Sequence, residues 1–306
     1  HCFGCVLGVM SCVNHGSTMV FLEKFDPVQV MSSIEKEQCT ATYGVPTMYI
    51  AMLDHPLFGK FDFRSLRTGI MSGSACPVHR MQQAQERMFM KEITNPYGLT
   101  EAGPVMTMTR YFEPSIERKC QTIGQALPGI EVAIIDPETG DIAPVGTDGE
   151  ICCRGYNNMK GYYNMPEQTA RCIDANGWLH SGDIGRMDAD GYYYITGRLK
   201  DLIIRGGENI SPKEVEDFLG TMPGIRDVAV VGCPSKKYGE QPAAFIIRSE
   251  GSQISEHDVQ VFCKDKISWF KIPKYVHFLD TFPMTASQKI QKYKLREMAH
   301  ELWPEA

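Results

Sequence analysis

The amino-acid sequence predicts a multidomain protein in which a partial α/β lobe is followed by a small β-barrel subdomain and then by an α+β domain. Helical and strand-like segments alternate over residues 1–102 at the spacing of strand–helix–strand crossovers. Short strands with frequent Gly and Pro turns follow over residues 103–197, as is typical of small barrels and sandwiches. Strands and helices mix again over residues 201–306.

The first lobe is expected to contain a parallel sheet. A helix through Val13 and a strand at 18–22 open the lobe. The pattern then predicts a helix at 27–36, a strand at 41–45, a strand and turn at 66–74, a helix at 77–90 and a strand with its exit loop at 93–101. Ligands bind beyond the carboxyl ends of such strands, where Ser72-Gly73-Ser74 and Tyr97-Gly98-Leu99-Thr100-Glu101 would lie.

Strands in the middle region are expected at 131–135, 149–153 and 192–196. The last domain is predicted to have strands at 202–205, 227–232 and 243–247 and helices at 212–219, at 256–267 and from about Tyr293. A charged pentapeptide, Gly197-Arg198-Leu199-Lys200-Asp201, separates two of these strands, and Gly206-Gly207 closes the second. A pair of glycines lets another backbone or a ligand approach closely, so this region is a candidate pivot with ligand contacts. A solvated turn is the alternative.

Charge and composition exclude several classes of protein. The formal net charge is −6 and the isoelectric point is about 5.8, which argues against a general nucleic-acid binder or a polybasic membrane surface. The apolar run that ends at Val13 is too short to span a membrane and has no basic leader. No transmembrane segment is therefore expected.

The 11 cysteines predict a reducing compartment such as the cytoplasm, because their number is odd and their spacing scattered. Cys2-x-x-Cys5 has no second CxxC at zinc-finger spacing, so the cysteines do not predict a zinc site. Cys2, Cys5, Val9 and Cys12 share one helical face and are expected to be small apolar core residues.

Two groups of polar residues suggest nucleotide chemistry. Tyr97, Thr100 and Glu101 offer an aromatic face for a base, a hydroxyl donor for a phosphate and a carboxylate for Mg²⁺. Asp183 could accept hydrogen bonds from both ribose hydroxyls, and Arg198 could reach the same sugar or a phosphate. The alternatives are a turn with a helix-capping Thr and an Asp that only forms a turn.

Lys289 stands on a polar loop before the last helix. A long, flexible ammonium can neutralise a carboxylate and an α-phosphate as they combine. Taken alone, the residue is better explained as a solvated surface charge.

Five segments of the chain resemble, in order, the core motifs of the adenylate-forming acyl-CoA synthetases. They are Tyr97 to Glu101, Gly149-Glu150-Ile151 with Gly161-Tyr162, Trp178 to Asp183, Gly197 to Glu216, and Pro283 to Lys289. Residues 203–210 and 289–297 are similar to the fatty acyl-CoA ligase branch, particularly its medium-chain members. The resemblance implies that a carboxylic acid and ATP form an acyl-adenylate, which CoA then converts to a thioester with release of AMP.

The resemblance also implies the role of each matching residue. Thr100 would contact phosphate, Glu101 would hold Mg²⁺, Tyr97 would stack on adenine, and Asp183 and Arg198 would bind the ribose. Ser72, Gly73, Ser74 and Gly98 would line the nucleotide site. Lys289 would serve adenylation, residues 198–200 with Lys200 would form the hinge of a mobile C-terminal domain, and Gly206 and Gly207 would line the pantetheine passage of CoA. His1-x-Phe3-Gly4 would lie near the acyl pocket.

Two departures from the family pattern qualify this assignment. The Ser/Thr/Gly-rich loop that ends in Pro-Lys-Gly is missing, so the chain is expected to be the C-terminal part of a longer enzyme. Gln288 stands where Gly usually precedes the lysine. The expected partner is a small carboxylic acid, with no nucleic acid, and the sequence leaves a homodimer open. Two other readings remain open: an adenylating domain for another acceptor, and a non-catalytic remnant that binds a nucleotide or a partner.

Overall fold

The computed structural model describes residues 2–74, 76–285 and 290–304. These residues divide into two units. Unit 1 comprises the chain up to Ser181 together with Gly185–Ile195, and unit 2 comprises Gly182–Ile184 and the chain from Thr196 onward. The predicted class, a mixed α/β protein with several domains and sheets, is confirmed.

Unit 1 begins with a π-helical segment, Phe3–Met10, that continues into α1 (Ser11–His15). Its other helices are α2 (Pro27–Lys36), α3 (Pro46–Leu53), α4 (Val78–Arg87), α5 (Ile116–Gln121) and α6 (Pro166–Cys172), with 3₁₀ turns at Phe58–Lys60 and Thr100–Ala102. Its strands are β1 (Ala41–Gly44), β2 (Thr68–Met71), β3 (Glu92–Thr94), β4 (Pro96–Tyr97), β5 (Thr107–Met108), β6 (Gln125–Ala126), β7 (Ile130–Ile135) and β8 (Gly149–Gly155). Two further strands, β9 (Leu179–Met187) and β10 (Tyr193–Arg198), contribute residues to both units.

The predicted parallel sheet of the first lobe is present. Strands β1, β2 and β3 pair in parallel in that order, and α2, α3 and α4 pack against them around a methionine-rich core. The fully buried Tyr49 donates a bifurcated hydrogen bond to the carbonyls of Thr42 and Ile70, each at 2.9 Å. This phenol therefore ties α3 to the two neighbouring strands β1 and β2.

The predictions for the first 25 residues were partly wrong. The expected strand at 18–22 is irregular chain in which Met19, Val20 and Phe21 are 36–69% exposed, and no described strand pairs with it. An apolar run forms a stable strand only when a neighbour takes up its hydrogen bonds. The helical face with Cys2, Cys5 and Cys12 is not core, because no residue of Phe3–His15 is buried. Within the described ranges, no helix is both long and apolar enough to span a bilayer.

The predicted β-barrel of the middle region is replaced by two open sheets. One has the order β4-β5-β6 and the other β10-β9-β8-β7, and no described sheet closes on itself. Backbone hydrogen bonds from Ile123 to Tyr193 at 2.8 Å and from Tyr193 to Gly124 at 2.9 Å connect their edges. Strands β4, β5 and β6 have two residues each, which is too short for the staggered pairing that closes a barrel.

Unit 2 is a three-layer arrangement of helices on both faces of one sheet. Its elements are β11 (Ile203–Arg205), β12 (Glu208–Ile210), α7 (Pro212–Leu219), β13 (Ile225–Ser235), β14 (Gly239–Arg248), α8 (Glu256–Cys263), β15 (Tyr275–Phe278) and α9 (Lys292–Leu302), with 3₁₀ turns at Leu199–Asp201 and Trp269–Lys271. The sheet order is β12-β11-β14-β13, and β15 pairs in parallel with β14.

Both faces of the central strands β13 and β14 are covered. Val228 and Val230 pack with α7 and α8, whereas Ala229 and Val231 pack with α9. Successive side chains of a strand point to opposite faces, so an uninterrupted apolar run supplies both cores.

Glu216 on α7 connects three elements of unit 2. Its Oε1 accepts hydrogen bonds from the Val230 backbone N–H at 2.7 Å and from the Lys292 Nζ at 2.6 Å. The Glu216 and Lys292 side chains are only 18% and 24% exposed. Lys292 is the first residue of α9 and stands three residues after Lys289 in the sequence. The Glu216 carboxylate therefore holds the start of α9.

We expect Glu216→Ala to lower the free energy of unfolding of unit 2 by about 2 kcal/mol, because it leaves the Val230 N–H and the Lys292 ammonium without their acceptor. Urea unfolding followed by circular dichroism measures this change. Asp217→Ala is the matched control, since Asp217 lies on the same helix but pairs with Lys213 in an i,i+4 ion pair at the surface, where the expected loss is about 0.5 kcal/mol. Equal losses for the two variants would contradict the role given to Glu216.

Candidate functional site

The ends of two strands in unit 1 meet through Ser72. This residue follows β2, is 6% exposed, and donates its hydroxyl hydrogen to the Pro96 carbonyl at the start of β4. Gly73 has a φ of +94°, a conformation that favours glycine, and Ser74 is exposed. Ser72-Gly73-Ser74 therefore lies beside the segment that contains Tyr97, as the sequence predicts for neighbouring strand ends.

The segment from Tyr97 to Glu101 leaves β4 and forms a 3₁₀ turn. A Cβ atom on Gly98 would lie 2.1 Å from the Pro104 carbonyl oxygen, so only glycine allows the two backbone segments to approach this closely. Thr100 is exposed, and its hydroxyl lies 3.3 Å from the Cys2 thiol. The alternative role of Thr100 as a helix-capping side chain is wrong, because Leu99 is the N-cap and makes no side-chain cap.

Tyr162 orients the Glu101 carboxylate. Its hydroxyl donates to Glu101 Oε1 at 2.7 Å, and the Met159 N–H donates to the Glu101 carbonyl at the same distance. The hydrogen bond to the carboxylate is the main reason that the pKa of Tyr162 rises to about 12. Because this bond uses Oε1, Oε2 is the oxygen that a cation would contact first. In the sequence, Tyr162 stands only within a motif, and no role was predicted for it.

Asp183 and Arg198 meet in unit 2. Arg198 Nε lies 2.5 Å from Asp183 Oδ1, in a pair formed between the neighbouring strands β9 and β10. Asp183 is 6% exposed, whereas the Arg198 side chain is 52% exposed. A Cβ atom on Gly197 would lie 2.7 Å from the Ser211 hydroxyl, which explains the glycine immediately before the arginine. The structure thus unites the two residues that the sequence assigned to ribose.

Lys200 lies in the 3₁₀ turn that follows β10. Its side chain is exposed, and its carbonyl accepts a hydrogen bond from Arg296 Nη2 at 3.5 Å. The same guanidinium pairs with the carboxylate of Asp201. Two contacts therefore connect the turn to α9 within unit 2.

Gly206 and Gly207 form the two-residue turn of the β11–β12 hairpin. Their φ values are +60° and +93°, the positive angles at both central positions that a type I′ turn requires. The Gly206 N–H donates to the Tyr238 carbonyl at 2.7 Å. Glycine is therefore needed for the hairpin itself, whatever else approaches it.

A cation–aromatic cluster, consisting of Arg205, Lys237, Tyr238 and Trp269, adjoins this turn. The Arg205 guanidinium carbon lies 5.0 Å from the ring centroids of both Tyr238 and Trp269, and Lys237 Nζ lies 4.8 Å from the Tyr238 ring. The hydrogen bond with Lys237 is the main cause of a lowered pKa at Tyr238. Trp269 is 66% exposed. This cluster was not predicted from the sequence, although Tyr238 and Trp269 each stand within two residues of a lysine.

Three residues of the sequence-based assignment, His1, Gln288 and Lys289, lie outside the described residues. The chain on either side of 286–289 is held by an antiparallel bridge between Met284 and Ile290 and by a hydrogen bond of 2.8 Å from the Gln291 N–H to the Pro283 carbonyl. The ends of the segment that contains Lys289 are thus fixed in unit 2.

Two family models match the chain. The model of the AMP-binding enzymes matches residues 1–163, and that of the AMP-binding enzyme C-terminal domain matches residues 214–289. The second model ends at Lys289 and begins within α7.

Curated relatives match nearly the whole chain. "Putative acyl-CoA synthetase YngI" of Bacillus subtilis (strain 168) is 52% identical over 303 residues, which cover 99% of this chain and 55% of that protein. Mitochondrial medium-chain acyl-CoA ligase ACSF2 of Danio rerio is 43% identical over 298 residues, which cover 97% of this chain and 49% of that protein. The chain thus spans about half the length of the curated relatives it matches.

The fold is similar to that of two solved structures. ATP-bound MatB from Rhodopseudomonas palustris has a TM-score of 0.89 and 32% identity, over 99% of this chain and 59% of that one. The o-succinylbenzoate CoA synthetase MenE from Bacillus subtilis, in complex with its acyl-adenylate intermediate, has a TM-score of 0.79 and 30% identity, over 94% of this chain and 58% of that one.

We expect Glu101→Gln to lower the pKa of Tyr162 from about 12 towards the ordinary tyrosine value of about 10. The carboxylate raises the pKa because it accepts the phenol hydrogen and because its negative charge disfavours the phenolate. Carbon-13 NMR of ring-labelled tyrosine at alkaline pH measures the change, with Tyr162→Phe to assign the resonance. An unchanged pKa at Tyr162 would contradict the contact.

Proposed function

Because the chain belongs to the family of AMP-binding enzymes, whose model matches more than half of it, we propose that it takes part in joining a carboxylic acid to coenzyme A at the expense of ATP. The carboxylate oxygen attacks the α-phosphate and pyrophosphate leaves, which gives an acyl-adenylate. The CoA thiol then attacks the acyl carbonyl and AMP leaves. Both steps concentrate negative charge on oxygen atoms and need hydrogen-bond donors and cations to stabilise it.

The pairing of Asp183 with Arg198 is the observation that carries this proposal. A carboxylate with little solvent exposure is costly unless it is paired, and Arg198 provides the pairing. Asp183 can accept hydrogen bonds from two vicinal hydroxyls, which is the recognition that a ribose requires. We assign this pair to the ribose of ATP and of the acyl-adenylate.

Unit 1 offers groups suited to the base and the phosphates. The exposed Thr100 hydroxyl can donate to a phosphate oxygen, and Tyr97 offers a ring for adenine beside the backbone of Gly98. Ser72, Gly73 and Ser74, at the neighbouring strand end, complete the proposed lining.

Glu101 fits the requirements of a Mg²⁺ ligand. Mg²⁺ in nucleotide sites is bound by one or two carboxylates together with phosphate oxygens and water. Glu101 provides one carboxylate, and the hydrogen bond from Tyr162 fixes its orientation. When bound, the ion would offset the negative charge of the phosphates.

Coenzyme A is the acceptor that the chemistry of unit 2 favours. The Gly206-Gly207 turn presents backbone without side chains, which suits the narrow pantetheine arm. The adjoining cation–aromatic cluster combines an exposed indole with cationic groups, as an adenine ring and its phosphates require. This combination favours CoA over an acceptor without a nucleotide.

From the family motifs we propose that Lys289 stabilises charge during adenylation and that Lys200 lies at a hinge. From the pattern of helices and strands in the sequence we propose the domain boundaries 1–102, 103–197 and 201–306. A medium-chain fatty acid is the proposed substrate, because the ACSF2 relatives are described as medium-chain acyl-CoA ligases. A reducing compartment is proposed because the cysteines of the chain are free.

The proposal is tested in the full-length protein with ATP, Mg²⁺, CoA and a mixture of short, medium, long and aromatic acids, with acyl-CoA detected by mass spectrometry. We expect a thioester with medium-chain acids. Asp183→Ala should raise the KM for ATP by roughly ten- to a hundredfold, because charged hydrogen bonds to the ribose are lost. Asp190→Ala is the control and should leave that KM unchanged. It removes an exposed carboxylate whose described ion pair is with Arg118. Absence of any thioester, or an unchanged KM in Asp183→Ala, would refute the proposal.

The CoA assignment makes a separate prediction. Trp269→Ala should raise the KM for CoA by about tenfold, since one base-stacking platform is lost, and should leave ATP–pyrophosphate exchange unchanged. Lys237→Gln should act in the same direction, whereas Lys264→Gln, an exposed lysine at the end of α8, serves as the control. Equal effects of Trp269→Ala on both half-reactions would exclude the cluster as a CoA contact.

A further inference from the structure

Three side chains of unit 1 that the proposed reaction does not use meet between β8 and β9. Glu150 and Cys152 are two residues apart on β8 and point to the same side, and His180 lies on the neighbouring strand β9. His180 Nδ1 lies 2.7 Å from Glu150 Oε2 and 3.4 Å from Cys152 Sγ. All three potential ligand atoms lie within 4.8 Å of one another.

The two distances to His180 are close to those between ligand atoms around a tetrahedral zinc ion. Zinc binds imidazole nitrogen and carboxylate oxygen at about 2.0–2.2 Å and thiolate sulfur at about 2.3 Å, which places neighbouring ligand atoms roughly 3.3–3.6 Å apart. The Cys152–His180 distance is already in this range. The Glu150–His180 distance must increase by roughly half an ångström, a small change of side-chain torsions.

The group of three side chains lies among acidic residues and is mostly shielded from solvent. Cys152 is fully buried and Glu150 is 7% exposed, whereas the 28% exposed side chain of His180 leaves an approach from solvent. Asp174 is a second carboxylate close to His180. A divalent cation would offset the charges of both carboxylates and stabilise a Cys152 thiolate.

Asp174 lies on the other side of the imidazole. Its Oδ2 lies 3.7 Å from His180 Nε2, while its Oδ1 accepts hydrogen bonds from the Asn176 and Trp178 N–H groups at 2.9 and 2.8 Å. A carboxylate next to the second ring nitrogen is the usual partner of a metal-bound histidine, because it fixes the ring and its tautomer.

We propose that Glu150, Cys152 and His180 form a binding site for a divalent cation of borderline softness, with Zn²⁺ as the preferred ion. A set of one sulfur, one nitrogen and one oxygen ligand suits Zn²⁺ better than Mg²⁺ or Ca²⁺. The Cys152 S–H bond breaks as the zinc–sulfur bond forms, and the proton passes to the solvent. Three protein ligands leave the fourth position to water, and the ion would connect β8 to β9.

This site is independent of the proposed ligase activity and distinct from Glu101, the proposed Mg²⁺ ligand. In the absence of an ion, the same three side chains form a hydrogen-bonded group centred on the imidazole. Metal binding and hydrogen bonding alone are therefore the two outcomes that an experiment has to separate.

The site can be tested with Co²⁺ as a spectroscopic probe of thiolate coordination. Cys2 and Cys5 are replaced by Ser in every protein, so that the CxxC pair does not contribute. We expect one equivalent of Co²⁺ to produce a thiolate-to-cobalt charge-transfer band in the near ultraviolet and tetrahedral d–d bands in the visible. Zn²⁺ should displace the Co²⁺ without releasing another proton, because the thiol is already deprotonated in the Co²⁺ complex. Cys152→Ser should abolish the charge-transfer band, and Glu150→Gln and His180→Asn should each weaken Co²⁺ binding at least about tenfold.

Cys153→Ser is the matched control. Cys153 is the next residue of β8 and equally buried, but it packs in a different apolar cluster and lies 3.1 Å from Asn158 Oδ1. This variant should bind Co²⁺ as the parent does. A charge-transfer band that survives in Cys152→Ser, or no uptake of Co²⁺ or Zn²⁺ by the folded parent protein, would overturn the proposal.

Discussion

The ion pair between Asp183 and Arg198 is the interaction on which the proposed chemistry depends. A carboxylate buried to this extent would destabilise the fold without a cation beside it, so the pair is needed before any ligand binds. Its position follows from the pairing of β9 with β10, which brings residues fifteen apart in the sequence to neighbouring strands. A site built on strands in this way is held more rigidly than one built on a loop, and ribose recognition needs that precision.

Local backbone constraints determine where the other candidate groups stand. Gly98 allows two segments to pass at a distance that a Cβ atom would forbid, and the 3₁₀ turn behind it then presents Thr100 and Glu101. Gly206 and Gly207 adopt the positive φ values of a tight hairpin, which brings Arg205 beside Tyr238 and Trp269. In both places the backbone geometry requires the glycines, and that geometry in turn positions the polar groups.

Elements specified by neighbouring residues were predicted from the sequence almost to the residue. Helix α2 begins after the Asp26 cap with Pro27 at its first position, and α7 begins with Pro212, so local stereochemistry alone defines both starts. Features that depend on distant partners were missed. The apolar run at 18–22 has the composition of a strand, but among the described residues no strand pairs with it, and the expected barrel depended on pairings that two-residue strands cannot make.

The same distinction applies to the candidate site. Residues of contiguous motifs, such as Thr100 with Glu101, could be recognised in the sequence because their spacing is informative. The sequence did not reveal the roles of Tyr162, Trp269 or the Glu150–Cys152–His180 group. Their contacts join different strands or turns, and the spacing of residues along the chain does not indicate such contacts. Asp183 and Arg198 are intermediate: the residues were identified by motif, whereas their direct pairing is a finding of the structure.

Several side chains are placed in ways that the stability of the fold does not explain. Their placement bears on the alternative that the chain is a non-catalytic remnant. Trp269 exposes two thirds of its surface beside the Arg205 guanidinium, although burying an indole would stabilise the fold more. The Tyr162 hydroxyl donates a hydrogen bond to the Glu101 carboxylate, which projects from a short turn, and the neighbouring Thr100 is exposed. Groups that are ordered, polar and only partly buried are typical of ligand contacts on a rigid scaffold. These three arrangements therefore favour the proposed ligase over a non-catalytic remnant.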